Sequence, residues 1–230
     1  MNCKVIGLGG IGCCLLPILD RFLQYRFDGP GQVAVTLIDG DSYTEDNRSR
    51  QIFPDWGNKA EAWSHRLSQA TLSVVYRAQP VYVTGDNVVG LIREGDVVLL
   101  GVDNHATRKL VSQRCEELDK VVLISGGNEL TDGNVMVYIR EDGQDRTLPL
   151  TSSFHPEIAD PADRNPGELG CEELVASAPQ LIITNNLVAA LMLNAFWAHL
   201  ERRVGYDEVY ADAVTNNARQ VTRQREPALV

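Results

Sequence analysis

Four glycines crowd the hexapeptide Gly7, Leu8, Gly9, Gly10, Ile11 and Gly12, which follows an apolar run and precedes a helical pattern. A strand that turns through such a run into a helix sets backbone N–H groups and the positive end of a helix where phosphates can sit. A tight turn that binds nothing explains the glycines as well. Asp39 ends the next apolar run, 27 residues beyond Gly12, a place from which a carboxylate can accept hydrogen bonds from ribose hydroxyls. The following stretch, DGDSYTEDNRSRQIF, supplies Asp41, Asn47, Arg48, Arg50 and Gln51, and Lys59 opens the helical pattern after it. A nicotinamide ring wants an apolar wall there. A triphosphate wants guanidinium and ammonium groups to neutralise it and amides to fix its oxygens without added charge. A solvated polar loop is the alternative for any one of these residues.

A third group closes the run VVLLGVDNHATR, where Asp103 precedes Asn104 and Arg108. In an open α/β sheet the carboxyl ends of the strands line the ligand crevice, so Asp103 is expected to face the same cavity as the glycine turn. A carboxylate beside a triphosphate is a natural magnesium ligand; capping of the next helix is its other reading.

These residues need a frame that brings strand ends together. Apolar runs alternate with helical patterns over the first two thirds of the chain, as in a parallel sheet covered by helices. Strands are expected over CKVIGL, QVAVTLID, PVYVTG, DVVLLGVD and KVVLISGG, with helices from the glycine turn, from near Asn58, and over HATRKLVSQRCEEL. From GNVMVYIRED onward an antiparallel extension is expected. Residues 141–178, rich in Pro, Asp, Gly and Ser, read as a long functional or disordered loop. A buried helix over APQLIITNNLVAALMLNAFWAHLER and a strand in DEVYADAVT follow, and the tail from Asn216 reads as frayed. The fold class is therefore α/β, a doubly wound Rossmann-like, mostly parallel sheet with an antiparallel C-terminal extension and a crossover-type loop, in one domain over 1–230.

The 31 acidic against 21 basic residues give a formal charge of −10. That charge repels nucleic acid and anionic membranes, so neither is expected as a partner. Five scattered cysteines with no Cys-x-x-Cys pair, and an apolar strand starting near Met1 in place of a signal sequence, point to a reducing, cytoplasmic setting. Cys3, Cys13 and Cys14 lie in or beside apolar runs and read as core residues.

Taken together, GLGGIG, the D-x-D of IDGD, the N-x-x-R-Q of NRSRQ, the lysine of GNKAE and the aspartate of VDNHATR resemble the ThiF/MoeB/HesA group of ATP-dependent activating enzymes, which is related to the ubiquitin-activating enzymes. The resemblance spans residues 4–108. It implies ATP and Mg²⁺, with Gly7, Gly9, Gly10, Gly12, Asp39 and Asp41 on the nucleotide. Asp39 would hold the ribose, and Asn47, Arg50 and Gln51 the phosphates and the attacking carboxylate. Lys59 would bind the phosphates and Asp103 the metal. The implied reaction is adenylation of the C-terminal carboxylate of a small ubiquitin-like or sulfur-carrier-like protein or peptide by a homodimer. The paired cysteines that hold zinc in members of the group are missing. So is the helix that precedes the first strand in many members and lends an arginine to the partner subunit, which would leave such an arginine to come from elsewhere.

Cys171, in NPGELGCEELV, sits where related enzymes carry a thioester or persulfide cysteine, and is expected either to accept the acyl group or to be incidental to it. His155 reads as a solvated loop histidine, with proton carriage as its alternative. An NAD(P)-dependent oxidoreductase would share Gly7 to Gly12 and Asp39 but would leave Arg50, Gln51 and Lys59 unexplained. A catalytically silent binding protein of the same fold is the third reading.

Overall fold

The computed structural model describes residues 1–27, 29–49, 51–69, 73–168 and 180–223. Strand β1 (Asn2–Ile6) runs into helix α1 (Gly10–Arg26), and β2 (Val33–Ile38) into α2 (Lys59–Ser68). Then come β3 (Val74–Gln79), the single-turn α3 (Val88–Leu91), β4 (Val97–Leu100), α4 (His105–Glu116) and β5 (Val121–Asn128). The remainder is β6 (Asp132–Glu141), β7 (Gln144–Asp145), α5 (Pro156–Ala159), α6 (Ile182–Leu200), β8 (Glu208–Asp212) and β9 (Asn217–Val221). They form one sheet in the order β3-β2-β1-β4-β5-β6-β8-β9, with β7 paired to β6. Pairing is parallel from β3 to β5 and antiparallel from β5 to β9.

The central strands are largely apolar because both faces are covered. In β4, Val97 and Leu99 join the core that includes Leu16, Leu19, Trp63 and Phe196 of α1, α2 and α6, while Val98 and Leu100 join the core with Val88, Val111 and Ile158 of α3, α4 and α5. Side chains alternating along one strand thus enter two cores, and the sheet is doubly wound, as expected. The order of the strands switches direction between β1 and β4, parallel neighbours, which leaves the crevice at the carboxyl ends of β1, β2 and β4.

Two elements differ from the sequence reading. PVYVTG is not a strand: β3 is the run before it, and Pro80 marks its end. The loop that follows is held by Asn87, which accepts from Thr84 N at 2.9 Å and donates to Tyr82 O at 2.8 Å. The tail is not frayed through its whole length either, because β9 pairs with β8 after a turn in which Asn216 takes a positive φ of 54°. As an exposed edge strand β9 carries polar side chains, which is why its sequence looks unstructured. Helix α6 packs on α1, β5 and β6, and among the described residues no helix is long and apolar enough to cross a membrane.

Candidate nucleotide-binding site

The glycine turn is wedged between strand ends. Gly7 has φ of 83°, donates to Ile38 O at 3.0 Å, and lies so close to β4 that a Cβ on it would come within 2.8 Å of Gly101 and Val102. A Cβ on Gly12 would stand 2.1 Å from the carbonyl oxygen of Gly7. On the far side Gly10 is filled by the C-terminal half of the chain: its Cβ would meet Gln180 Oε1 at 2.4 Å and Asn185 Nδ2 at 2.5 Å. Gly9 differs, since among the described residues a Cβ there would meet only Gln51 Nε2, at 3.9 Å. That open side is where a ligand can approach the backbone.

Helix capping sets α1 apart from α2 and α4. Asn58 caps α2 by accepting from Ala60 N and Glu61 N, and Asn104 caps α4 by accepting from Thr107 N. Helix α1, whose N-cap is Gly9, has no side-chain cap among the described residues and no acid in its first turn. Its leading N–H groups are left for an anion.

Asp39 stands beside them. Its Oδ2 accepts from Leu8 N at 2.6 Å and its Oδ1 from Asp41 N at 2.8 Å. Each oxygen keeps a lone pair for a hydroxyl donor. Burial pushes its pKa up to about 6, against the pull of Lys59 and these two amides. Asn58 Nδ2 donates to both Asp39 O and Asp41 O at 3.0 Å, so the side chain that caps α2 also ties that helix to the ribose-type carboxylate.

Lys59, the first residue of α2, is only 5% exposed. Its Nζ lies 2.9 Å from Asp41 Oδ2 and 5.9 Å from the centre of the Tyr43 ring, whose hydroxyl accepts from Trp63 Nε1 at 2.8 Å. Burial pushes the Asp41 carboxyl up, but the Lys59 charge and the hydrogen bonds from Tyr82 and Lys59 outweigh it and leave it below the usual aspartate value.

A 3₁₀ turn, Glu45–Ser49, takes in the first three residues of NRSRQ. Asn47 is buried, and its Oδ1 accepts from Thr44 N at 2.9 Å and from the Thr44 hydroxyl at 3.3 Å. Its carbonyl oxygen therefore holds the turn. Gln51 is also buried beside Gly9, and among the described residues its Oε1 has no hydrogen-bond partner. A buried amide oxygen without a donor is costly, and at this place it fits a ligand hydroxyl, amide or water. Ile52 N reaches back to Cys13 Sγ at 3.3 Å, fastening the loop to α1. Arg50 lies outside the described residues.

Asp103 is exposed just beyond β4. Among the described residues no group of three His, Cys, Asp or Glu side chains is placed to hold a metal by itself. The donor set fits magnesium bound by Asp103, water and phosphate oxygens, the usual way this ion is held. Arg108 is buried behind it, donating to Ser125 Oγ at 2.7 Å, Val102 O at 2.6 Å and Gly126 O at 2.8 Å. Burial lowers its pKa to about 10, while Asp103, Asp163 and Glu157 oppose the shift. Arg108 thus fixes the ends of β4 and β5.

Three residues near the site were not expected from sequence. Asp163 accepts from His105 N at 2.7 Å and Ala106 N at 2.8 Å, a second cap on α4. Asn165, buried, donates to Val83 O at 2.7 Å. Tyr82 donates to Asp41 Oδ1. The segment 163–165 therefore straps the start of α4 to the loop after β3. Nothing in the local pattern of PADRNPGE marks these contacts, whose partners lie 58 and 82 positions away for Asp163 and Asn165.

His155 corrects the expectation of a solvated histidine, since it is buried with Nδ1 2.9 Å from Glu157 Oε1 and Nε2 2.8 Å from Glu208 Oε1. Glu208 also accepts from Arg223 Nε at 3.1 Å. Burial lowers the imidazole pKa, but the hydrogen bonds to Glu208 and Glu157 raise it further, for a net rise. Burial raises the Glu208 carboxyl, and His155 and Arg223 bring it down to about 2. A raised histidine stabilises the fold fully below its unfolded pKa of about 6.5 and loses that contribution as pH climbs through the folded value. The depressed Glu208 contributes above the unfolded glutamate value and loses its share as pH falls toward 2. Thermal unfolding of His155→Gln should therefore fall furthest below the wild type near pH 5 to 6, about 1 unit under the histidine reference value, and converge with it in alkali. A gap in melting temperature that stays constant to pH 9, well above the usual histidine range of about 6.5, would contradict the ionic role.

Cys171 lies outside the described residues, whereas Cys3, Cys13, Cys14 and Cys115 are free and buried.

The sequence matches the ThiF family model over residues 1–223. The molybdopterin-synthase adenylyltransferase of Escherichia coli K12 is 24% identical over 227 residues, covering 97% of this chain and 83% of that protein. The adenylyltransferase and sulfurtransferase MOCS3 of Drosophila ananassae is 32% identical over 143 residues, covering 60% of this chain and 30% of that protein. UBA4 of Kluyveromyces lactis, named likewise, is 27% identical over 156 residues and is covered for 32% of its length; this chain thus spans about a third of the length of these two relatives. In three dimensions E. coli MccB with MccA-N7isoASN superposes with a TM-score of 0.71 at 16% identity, over 99% of this chain and 66% of that one. MccB with ATP gives 0.70 at 16% identity, over 99% and 65%. These superpositions establish the shared fold. With its glycine turn, buried lysine and family match over nearly its whole length, the chain belongs to the ThiF family.

Proposed function

We propose that this chain, as a cytoplasmic homodimer, uses ATP and Mg²⁺ to adenylate the C-terminal carboxylate of a small ubiquitin-like or sulfur-carrier-like protein or peptide. The observation that carries the reading is the convergence of an uncapped α1 N-terminus, a buried ribose-type carboxylate at Asp39 and a buried lysine at Lys59 on one crevice. The relatives named as adenylyltransferases and the ATP-bound MccB structure support it.

The α1 amides would receive phosphate, and Asp39 the ribose hydroxyls through its unused lone pairs. Asp103 would hold the magnesium ion, which when bound neutralises triphosphate charge. The incoming carboxylate oxygen forms a bond to the α-phosphorus as the bond to the bridging oxygen of pyrophosphate breaks, and the electron pair leaves with pyrophosphate. Lys59 and Arg50 would stabilise the charge at that centre and on the leaving group. Transfer of the acyl group from the adenylate to Cys171, with release of AMP, belongs to the proposal on the strength of sequence position. If Cys171→Ala still formed a reducible thioester with the substrate, that step would be wrong.

The test is ATP–pyrophosphate exchange with a candidate protein or peptide encoded beside this gene. Exchange should require the free C-terminal carboxylate and vanish when that end is amidated. Stabilisation by NADH, with none by ATP–Mg, would favour the oxidoreductase instead.

A further inference from the structure

Lys59 is stored in an unusual way for a group that must meet phosphate. Its side chain is 7% exposed, and among the described residues its one ion pair is with Asp41, whose own side chain is 49% exposed. A buried ammonium without a counter-charge is strongly unfavourable, so the half-exposed Asp41 carboxylate in direct contact, with Asp39 near enough to feel the lysine, is what allows it to lie there. The other Asp41 oxygen takes the hydroxyl of Tyr82. That phenol ring lies on the backbone next door, since a Cβ on Gly40 would be 2.6 Å from its carbons. The backbone around the pair is fixed as well: Lys59 N donates to Asp41 O at 2.9 Å, and Asn58 Nδ2 to the same oxygen at 3.0 Å. Only the side chains have room to exchange partners.

We propose that Asp41 is a resident stand-in for phosphate on Lys59, a positioning residue that holds the ammonium in the empty site and yields it to the ligand while remaining on Tyr82. The idea rests on the adenylation reading only in assigning phosphate to this crevice. A ligand phosphate must break the resting pair before it gains Lys59, so its apparent affinity is reduced by the strength of that pair. Tyr82 works in the opposite sense, because its hydroxyl supports the Asp41 carboxylate after the lysine has left.

Magnesium pyrophosphate is the probe, as it carries no base or ribose, with binding followed by calorimetry and by thermal shift. Asp41→Asn should melt lower than the wild type without ligand, yet bind pyrophosphate about fivefold tighter, the value of one partly exposed ion pair. Tyr82→Phe should weaken binding by about threefold, in line with one hydrogen bond, and should have no effect in the Asp41→Asn background. A merely structural Asp41 would give weaker binding in Asp41→Asn, and that result overturns the proposal. If Asp41→Asn does not fold, Tyr82→Phe alone decides, and unchanged or tighter binding refutes the exchange of partners. Failure of pyrophosphate to bind the wild type also refutes it. Binding of pyrophosphate without any ATP–pyrophosphate exchange would instead overturn the adenylation reading and leave this one standing.

Discussion

Lys59→Met should lower ATP–pyrophosphate exchange by about 10²- to 10³-fold, the usual loss when one preorganised charge donor to a transition state is removed. Methionine keeps most of the length and apolar stem of lysine and loses only the ammonium, together with its place over the Tyr43 ring. The fold should tolerate the change, because a buried cation disappears and Asp41, half exposed, keeps its Tyr82 hydrogen bond. The melting temperature is therefore expected to stay within about 2–4 °C of the wild type, a shift of roughly 1 kcal/mol in a chain of this size. Activity and stability are thus separated in one variant. In the same background Asp41→Asn should no longer tighten pyrophosphate binding, because the pair it would release is already gone. Near-normal exchange by Lys59→Met would remove this residue from the chemistry.

Gly12→Ala should do the reverse and act through the fold. The added methyl group would be placed 2.1 Å from the carbonyl oxygen of Gly7, an atom of a backbone already held by its own hydrogen bond to Ile38 and by contact with β4. No rotamer change can relieve such a contact, so α1 must shift along its axis or the turn must open. Either way the cost is about 2–4 kcal/mol, the range for overpacking where neighbours cannot yield. That corresponds to a fall of roughly 4–16 °C in melting temperature for a domain of this length. Nucleotide should no longer protect the variant against heat, because the N–H groups at the start of α1 would have moved. Gly9→Ala is the informative partner: among the described residues its methyl group meets nothing closer than 3.9 Å, so it should fold normally and lose affinity only by obstructing the ligand. Equal melting temperatures for Gly12→Ala and Gly9→Ala would contradict this account.

Much of the site was readable in the chain because its parts lie at the ends of buried strands. The runs into Gly7, Asp39 and Asp103 are mostly apolar and place residues in both cores, and such runs announce where a parallel strand stops. Asn58 was legible as the start of a helix because capping is a local property. Strand β3 was displaced because it lies at the sheet edge, with Val75 and Arg77 exposed, so its pattern competes with the equally alternating residues after Pro80. The same displacement hid Tyr82, which was read as part of a strand when it is a loop residue reaching Asp41. Asp163, Asn165 and the His155 pairing with Glu208 depend on contacts far apart in sequence, which no spacing rule encodes.

The packing of Gly10 against Gln180 and Asn185 has a consequence for how the protein is made. The glycine turn is synthesised well before the side chains that fill its back, which come from the start of α6, some 170 positions later. Contacts of such long sequence separation form late and slow folding. A nascent chain that has exposed β1 to β5 but not α6 holds a glycine turn with one side unsupported. Nucleotide capture should therefore begin only once the start of α6 has been made, and chains cut short before Ile182 should gain no protection from ATP.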